Sequence, residues 1–277
     1  MPELPEVENI RRNLENLILG KKLSRLETFT PEVLVNPEGL SVEGQRLQSL
    51  DRQGKYLLLN LTETTLMAHL RMTGKLLYEP KDSDPAKDPE IAPYMRARIS
   101  FEDGDRLFFD DVRRFGRLWL FPLGQASRDP GFSALGPDAM SVDWTEEDFL
   151  KRLQRRPRSS IKQALLDQRL VAGIGNIYAD ESLFRAGIRP DALVGTLSQE
   201  RLLALHAAVL EVLQEAIAAG GSSFRDYVNS FGKKGHFQQE LQVYQREGQP
   251  CRRCQTPIEK CKVAGRGTRF CPHCQQF

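Results

Sequence analysis

Cys251-Arg252-Arg253-Cys254 and, sixteen residues later, Cys271-Pro272-His273-Cys274 lie at the end of this 277-residue chain. All five cysteines fall between 251 and 274. In a cytosolic chain that clustering points to a metal before disulfides. Two Cys-x2-Cys pairs at this spacing suit tetrahedral zinc, and four thiolates fill the coordination sphere. No position stays open for water, so one structural ion is expected, with Cys251, Cys254, Cys271 and Cys274 as ligands. The segment has too few apolar residues for its own core, so metal binding should supply its folding energy. Cys261 stands outside the pattern. Between the pairs, Gly265-Arg266-Gly267-Thr268 reads as a β-hairpin tip presenting Arg266.

Ahead of this module the chain reads as helical back to Gly136-Pro137. Thr145 and Asp148 stand in capping-box spacing at the head of a helix running to Arg156. Ser159 to Asp167 and Asn176 to Ala186 read as short helices, and Ser198 to Ala219 as a long amphipathic one ending at Gly220-Gly221. Phe224 to Gln239 lacks periodicity and reads as a long loop, while Glu240 to Tyr244 alternates weakly and reads as the start of a β-hairpin. Gly173-Ile174-Gly175-Asn176 before a helix could cradle a phosphate, with Asn176 as cap or donor, or could be a simple inter-helix turn. Between Lys151 and Lys162 there are six basic residues and no acid.

From Lys21 to about Phe121 the period changes to short apolar runs bounded by turn residues, which are strands. Asp103-Gly104 marks a hairpin. Glu79 to Pro93, with four prolines and many charges, reads as a mobile loop. Asp111-Val112-Arg113-Arg114-Phe115-Gly116 could read and wedge bases, or could be an ordinary surface loop. His69 and Met72 flank a similar turn. Forty per cent apolar and 27% charged residues describe a soluble protein with enough core for about two domains. Net charge is +2, so any nucleic-acid binding must rest on local basic patches. No apolar run approaches the ~18 residues a membrane span needs, and the acidic N-terminus has no signal core.

Pro5 to Leu19 reads as an amphipathic helix with Val7, Ile10, Leu14, Leu17 and Ile18 on one stripe. Before it comes Met1-Pro2-Glu3-Leu4-Pro5-Glu6-Val7-Glu8. A small residue after Met1 favours its removal, which would leave a free prolyl amine. With a pKa of about 7.7–8.0, roughly a tenth of such an amine is unprotonated at neutral pH and able to attack carbon. The alternative is a proline opening a helix, with acids favoured at the positive end of its dipole.

These segments, with Gly54-Lys55-Tyr56-Leu57 and Gly173 to Leu183, occur in the same order as in the bacterial formamidopyrimidine-DNA glycosylases, which the chain resembles over essentially its whole length. The resemblance implies an α+β, two-domain fold. It comprises an N-terminal catalytic β-sandwich with a flanking helix (1–135), a helical helix–two-turn–helix DNA-binding domain with a lesion-capping loop at about 221–239 (136–239), and a zinc-finger β-hairpin (240–277). It implies a bifunctional glycosylase and AP lyase of base excision repair that removes 8-oxoguanine and formamidopyrimidines from duplex DNA. The chemistry is a Schiff base followed by β,δ-elimination, with no redox cofactor. A monomer in the cytoplasm, associated with the nucleoid and not with membranes, is implied too.

The resemblance also assigns residues. Pro2 is the implied nucleophile, Glu3 the proton donor that helps open the sugar, and Lys55 a further donor for β-elimination. Arg266 grips phosphate and assists δ-elimination. Met72, Arg113 and Phe115 fill the gap left by the flipped nucleotide. His69, Lys162, Asn176 and Tyr244 are implied DNA contacts, with Glu6 and Arg225 near the lesion. Many members carry histidines where this chain has Pro93-Tyr94-Met95-Arg96, and Pro157 interrupts a stretch that is often lysine-rich. The corresponding DNA contact would then come from Tyr94 or Arg96, with Arg158 expected as a contact from the basic run. Two other readings remain at this point: a sister enzyme resembling endonuclease VIII for oxidised pyrimidines, and a non-catalytic zinc-finger DNA-binding protein. Leu4, the Arg113/Phe115 pair and the long 224–239 loop favour the purine enzyme.

Overall fold

The computed structural model describes residues 1–83, 94–223 and 228–277. Most of the expected loop at 79–93 and the candidate Arg225 therefore lie outside the described residues. The chain forms two compact units, Met1–Ser133 with Ala219–His236, and Ala134–Ala218 with Phe237–Phe277.

The first unit opens with α1 (Leu4–Ile18), which buries Val7, Ile10, Leu14 and Ile18. Each of these burials contributes roughly 1.5–3 kcal/mol. Leu17, expected on the same stripe, is only partly buried against the core. The strands follow: β1 (Leu23–Thr28), β2 (Leu34–Val35), β3 (Ser49–Gln53), β4 (Tyr56–Asn60), β5 (Thr64–His69), β6 (Gly74–Glu79), β7 (Met95–Phe101), β8 (Arg106–Asp111) and β9 (Arg117–Pro122). They make a four-stranded sheet in the order β1-β7-β8-β6 and a five-stranded sheet in the order β2-β9-β5-β4-β3. Apolar side chains from both sheets and from α1 share one core. Central strand β5 is buried along its whole length, whereas in edge strand β1 only Leu23 is buried. The Asp103-Gly104 hairpin joins β7 to β8 as its sequence predicts.

The β3–β4 turn carries the candidate Lys55. Gln53 pairs with Tyr56, leaving the two-residue loop Gly54-Lys55, and Gly54 has φ 59°. A two-residue hairpin with glycine at its first position is a type II′ turn, whose twist matches the strands it joins.

The second unit contains α3 (Glu146–Gln154), α4 (Ile161–Leu166), α5 (Asn176–Arg185), α6 (Gln199–Ala218) and the hairpin β10 (Glu259–Val263) with β11 (Arg266–Phe270); a short α2 (Pro130–Ser133) belongs to the first unit. Thr145 caps α3 by accepting the Asp148 N–H at 3.2 Å. The Asp148 carboxylate binds Arg152 at 2.5 Å, so only half of the expected box forms. Two expectations are corrected. Glu240 to Tyr244 forms no strand, because its backbone N–H groups turn onto the Glu181 carboxylate. Arg266 opens β11 rather than sitting at the tip, since Ala264 (φ 49°) and Gly265 (φ 75°) make the turn. No described helix is long and apolar enough to cross a membrane.

Candidate functional site

The head of α1 is a buried polar knot. Glu3 is the N-cap, and its side chain accepts the N–H of Glu6. Glu6 answers by accepting the Glu3 N–H at 2.8 Å. This reciprocal cap uses glutamate where serine or threonine is usual, and the Glu3-x-x-Glu6 spacing was its signal in the sequence. Pro2 is buried just before it. The second Glu6 oxygen accepts the Ser222 N–H at 2.8 Å. Gly221 (φ 81°) permits that approach, for a Cβ there would lie 2.9 Å from the same oxygen. A fixed acid therefore stands beside the residue that becomes the N-terminus once Met1 is lost, and a second acid ties it to the segment after α6.

Further along α1, Glu8 does something the sequence reading did not anticipate. Its carboxylate receives Arg12 at 2.7 Å, Arg52 at 3.0 Å and both arms of Arg11 at 3.1 Å. Burial pushes its pKa up, but the hydrogen bonds from Arg11, Arg12 and Arg52 outweigh burial and hold it down at about 2. Arg52 also donates to the carbonyl of Gly54 at 3.0 Å, in the turn that carries the buried Lys55.

His69, on β5, lies edge-on to Tyr56 with centroids 4.6 Å apart. Burial, together with the nearby charges of Arg71 and Lys55, lowers its pKa to about 3, so the ring is neutral. Its Nδ1 accepts the Arg71 N–H at 3.0 Å, which leaves the proton on Nε2 as a donor. The same bond supports Arg71 at φ 54°, and Met72 follows from that bend. A matching bend at Arg114 (φ 58°) lies between Arg113 and Phe115. Such left-handed residues cost of order 1–3 kcal/mol and persist where the surroundings over-determine them. Here Asp111 does so. Its buried carboxylate accepts from the Thr73 hydroxyl, from the Arg113 N–H at 3.2 Å and from the Gly116 N–H at 2.7 Å.

These two bends bring the expected trio together. Arg113 donates to the Met72 sulfur at 3.1 Å and lies 4.9 Å over the Phe115 ring. Met72 and Phe115 remain 42% and 49% exposed. Tyr94, just before β7, is exposed as well.

In the second unit, the Lys162 side chain is 0% exposed, paired with Asp180 at 2.6 Å and donating to Thr268 at 2.8 Å. Burial pushes the Asp180 carboxyl up, and the Lys162 charge opposes it. Lys162 thereby ties α4 and α5 to β11. Asn176 is not the cap, which is Gly175; from the first turn of α5 it donates to the Gly267 carbonyl at 3.1 Å. Glu181, fully enclosed, accepts the N–H groups of Gln242 at 2.8 Å, Val243 at 3.0 Å and Tyr244 at 2.8 Å. Tyr244 lies 5.1 Å under the Arg269 guanidinium. Arg158 and Arg266 are exposed. Asp180, Glu181 and Arg52 escaped the sequence reading because each acts on residues distant along the chain, whereas two of the Glu8 partners, Arg11 and Arg12, lie only three and four residues on.

Cys251, Cys254, Cys271 and Cys274 offer sulfur atoms that all lie within 4.8 Å of one another. Arg253 N–H points at the Cys251 sulfur and Cys274 N–H at that of Cys271, both at 3.4 Å. Val243, Ile258 and Phe184 pack against these sulfurs in one small cluster. The four thiols are positioned to hold a metal ion.

Comparison with known proteins agrees along the whole chain. Residues 1–118 match the formamidopyrimidine-DNA glycosylase N-terminal domain, 135–228 that family's H2TH domain, and 248–276 the zinc finger found in FPG and IleRS. The formamidopyrimidine-DNA glycosylase of Bacillus licheniformis is 42% identical over 281 residues, covering all of both chains. That of Enterococcus faecalis is 40% identical, covering 100% of this chain and 98% of its own. Among solved structures, MutM (FPG) of Thermus thermophilus aligns with a TM-score of 0.86 at 42% identity, covering 99% and 98%. A Lactococcus lactis FPG mutant in complex with Fapy-dG-containing DNA aligns with a TM-score of 0.88 at 38% identity, covering 100% of each. With all three domains matched in order and relatives this similar end to end, the chain belongs to the formamidopyrimidine-DNA glycosylase family.

Proposed function

We propose that this protein is a bifunctional DNA glycosylase and AP lyase of base excision repair, excising oxidised purines such as 8-oxoguanine and formamidopyrimidines from duplex DNA. The observation that carries the reading is the head of α1, where a buried carboxylate, Glu3, is fixed beside Pro2 by its reciprocal cap with Glu6. Relatives solved with lesion-containing or abasic DNA, similar over the full chain, support duplex DNA as the partner.

The chemistry needs no metal at the reacting carbon. With Met1 removed, the Pro2 nitrogen is a secondary amine; with Met1 attached, it is an amide with no nucleophilic lone pair. The amine attacks the anomeric carbon, the glycosidic bond breaks, and the base leaves with a proton. Glu3 donates a proton to the sugar oxygen as the ring opens, giving an iminium. The iminium acidifies the adjacent sugar protons, so the 3′ and then the 5′ phosphate leave by elimination. Lys55 supplies a proton in the first elimination, and Arg266 holds phosphate for the second. Water then releases Pro2. Flipping the nucleotide costs unstacking, and Met72, Arg113 and Phe115 fill the space it vacates. His69, through its Nε2–H, Asn176, Tyr244, Tyr94 and Arg158 contact the DNA, with Glu6 and Arg225 reading the lesion. Lys162 acts by holding the hairpin that carries Arg266. Residues 1–135, 136–239 and 240–277 serve as catalytic, DNA-binding and zinc-finger domains.

The metal is zinc, held by the four cysteines in a structural role. Zn–S bonds of ~2.3 Å in a tetrahedron separate the sulfurs by ~3.8 Å. The Cys254–Cys271 and Cys251–Cys274 sulfurs are 3.4 and 3.9 Å apart.

Borohydride trapping tests the proposal. The mature protein should become covalently attached to a duplex carrying 8-oxoguanine opposite cytosine, and Pro2→Gly should lose the adduct. No adduct from protein shown by mass spectrometry to lack Met1 would sink the reading. Cleavage of thymine glycol in preference to 8-oxoguanine would move the substrate class to oxidised pyrimidines.

A further inference from the structure

The geometry points to Arg52 as a positioning residue for Lys55, with Glu8 as its anchor; the inference rests on the lyase reading above and extends it to two buried side chains. Lys55 stands in a two-residue turn, next to Gly54 and between the ends of β3 and β4. Arg52, on β3, reaches over that turn and donates from one terminal nitrogen to the Gly54 carbonyl at 3.0 Å. Its Nε is committed at 3.0 Å to a Glu8 oxygen on α1, the helix whose head carries Pro2 and Glu3. Arg11 adds a second strut from the same helix, reaching the Leu50 carbonyl on β3 at 3.2 Å. The nucleophile's helix and the proton donor's turn are thus joined by one planar guanidinium.

Stability alone is a poor account of this arrangement. The Arg52 and Glu8 side chains are only 8% and 10% exposed. Burying such a pair costs desolvation that its mutual attraction often fails to recover, so an apolar pair of similar volume would hold the helix at least as well. What an apolar pair cannot do is set the Gly54 peptide. Nor can lysine: a single ammonium on a flexible stem does not reproduce a rigid fork that holds a carboxylate through one nitrogen and a carbonyl through another. Displacing a catalytic group by about 1 Å can cost on the order of 10²-fold in rate.

The test is Arg52→Lys, which keeps the charge beside Glu8 and removes the arm to Gly54. Single-turnover strand cleavage of an 8-oxoguanine duplex should slow about tenfold or more, with KM and melting temperature unchanged. The alkali-revealed excision of the base should slow less than the elimination, because Lys55 serves the elimination. Cleavage at the wild-type rate, or equal slowing of excision and elimination, would overturn the inference. If Arg52→Lys melts early, Glu8→Asp decides. Its shortened carboxylate withdraws from Arg52 while every charge is kept, and it should show the same split between elimination and excision; a wild-type ratio would overturn the inference. Wild-type protein is trapped with borohydride in parallel. Failure there condemns the lyase reading itself, whereas a trapped wild type with an indifferent Arg52→Lys condemns only the positioning role.

Discussion

Two buried glutamates, one in each unit, use the same chemistry to different ends. Glu181 accepts three successive backbone N–H groups, at Gln242, Val243 and Tyr244. These bonds are all to backbone, and the result is a framework for the loop leading into the four cysteines. Glu6 splits its two oxygens between the head of α1 and Ser222. It joins the residue next to Pro2, the proposed nucleophile, to the glycine-containing segment after α6. One carboxylate holds a loop; the other couples the proposed reactive end to that segment. The second unit follows the first pattern throughout, with Lys162, Asp180 and Thr268 closed on one another. The first unit follows the second pattern, leaving Met72 and Phe115 in solvent on strained bends.

Removing the metal should separate the two regions most sharply. Structural zinc contributes about 10–16 kcal/mol in isolated fingers, far more than the small cluster of Val243, Ile258 and Phe184 can replace. Chelation should release one zinc per chain and open residues 240–277 to protease, while the sandwich core of residues 1–133 survives. Loss of both together would break the contrast. The next effect is smaller in energy and opposite in kind. Protein that keeps Met1 should fold, hold zinc and bind lesion DNA, yet cleave it roughly 10³-fold more slowly or worse, because its nucleophile is an amide. Mass spectrometry of the N-terminus alongside a cleavage assay checks this, and full activity with Met1 in place would refute the proline chemistry.

These contrasts explain what could be read from the chain and what could not. Strands, hairpins and the long helices were legible because their signals are local: alternation, Asp103-Gly104, and the buried stripe from Val7 to Ile18. The four cysteines were legible because ligand spacing is itself the signal. The pairing of Lys162 with Asp180 on the next helix was not legible, since the two lie 18 residues apart and no periodicity links them. Arg52 and Glu8 lie 44 residues apart, and no periodicity links them. Arg266 was misplaced by one turn position, because Ala264 occupies a left-handed conformation that residues other than glycine seldom adopt.

Acid should test the first unit before any substrate does. The pKa of Glu8 is lowered from an ordinary 4.5 to about 2 in the folded protein. A lowered carboxylate pKa means that folding favours the charged form. Its contribution is therefore complete above about pH 4.5 and is lost as pH falls through about 2. At 1.36 kcal/mol per unit the contribution is roughly 3 kcal/mol. Glu8→Gln should remove that dependence, flattening the stability curve between those pH values in urea melts, and should take away the charge that Arg11, Arg12 and Arg52 share. An unchanged acid limb would mean the cluster is not what holds α1 to β3.

The finest distinction lies between Glu6→Gln and Glu181→Gln. In each, an amide keeps one oxygen and turns its NH2 group against a backbone N–H, stranding a buried donor at a cost of about 1–3 kcal/mol. Glu181→Gln can keep the oxygen that serves Val243 and Tyr244 and lose only the bond to Gln242, so its cost should appear as a lower melting temperature with catalysis intact on DNA already bound. Glu6→Gln must give up either the cap on Glu3 or the tie to Ser222. If the cap is lost, Glu3 shifts beside the amine and borohydride trapping slows. If the tie is lost, the segment after α6 is freed and discrimination between damaged and intact guanine weakens. In either case the loss of function should exceed the loss of stability, the reverse of the Glu181 variant. Equal ratios in the two variants would mean that Glu6, like Glu181, is only a brace.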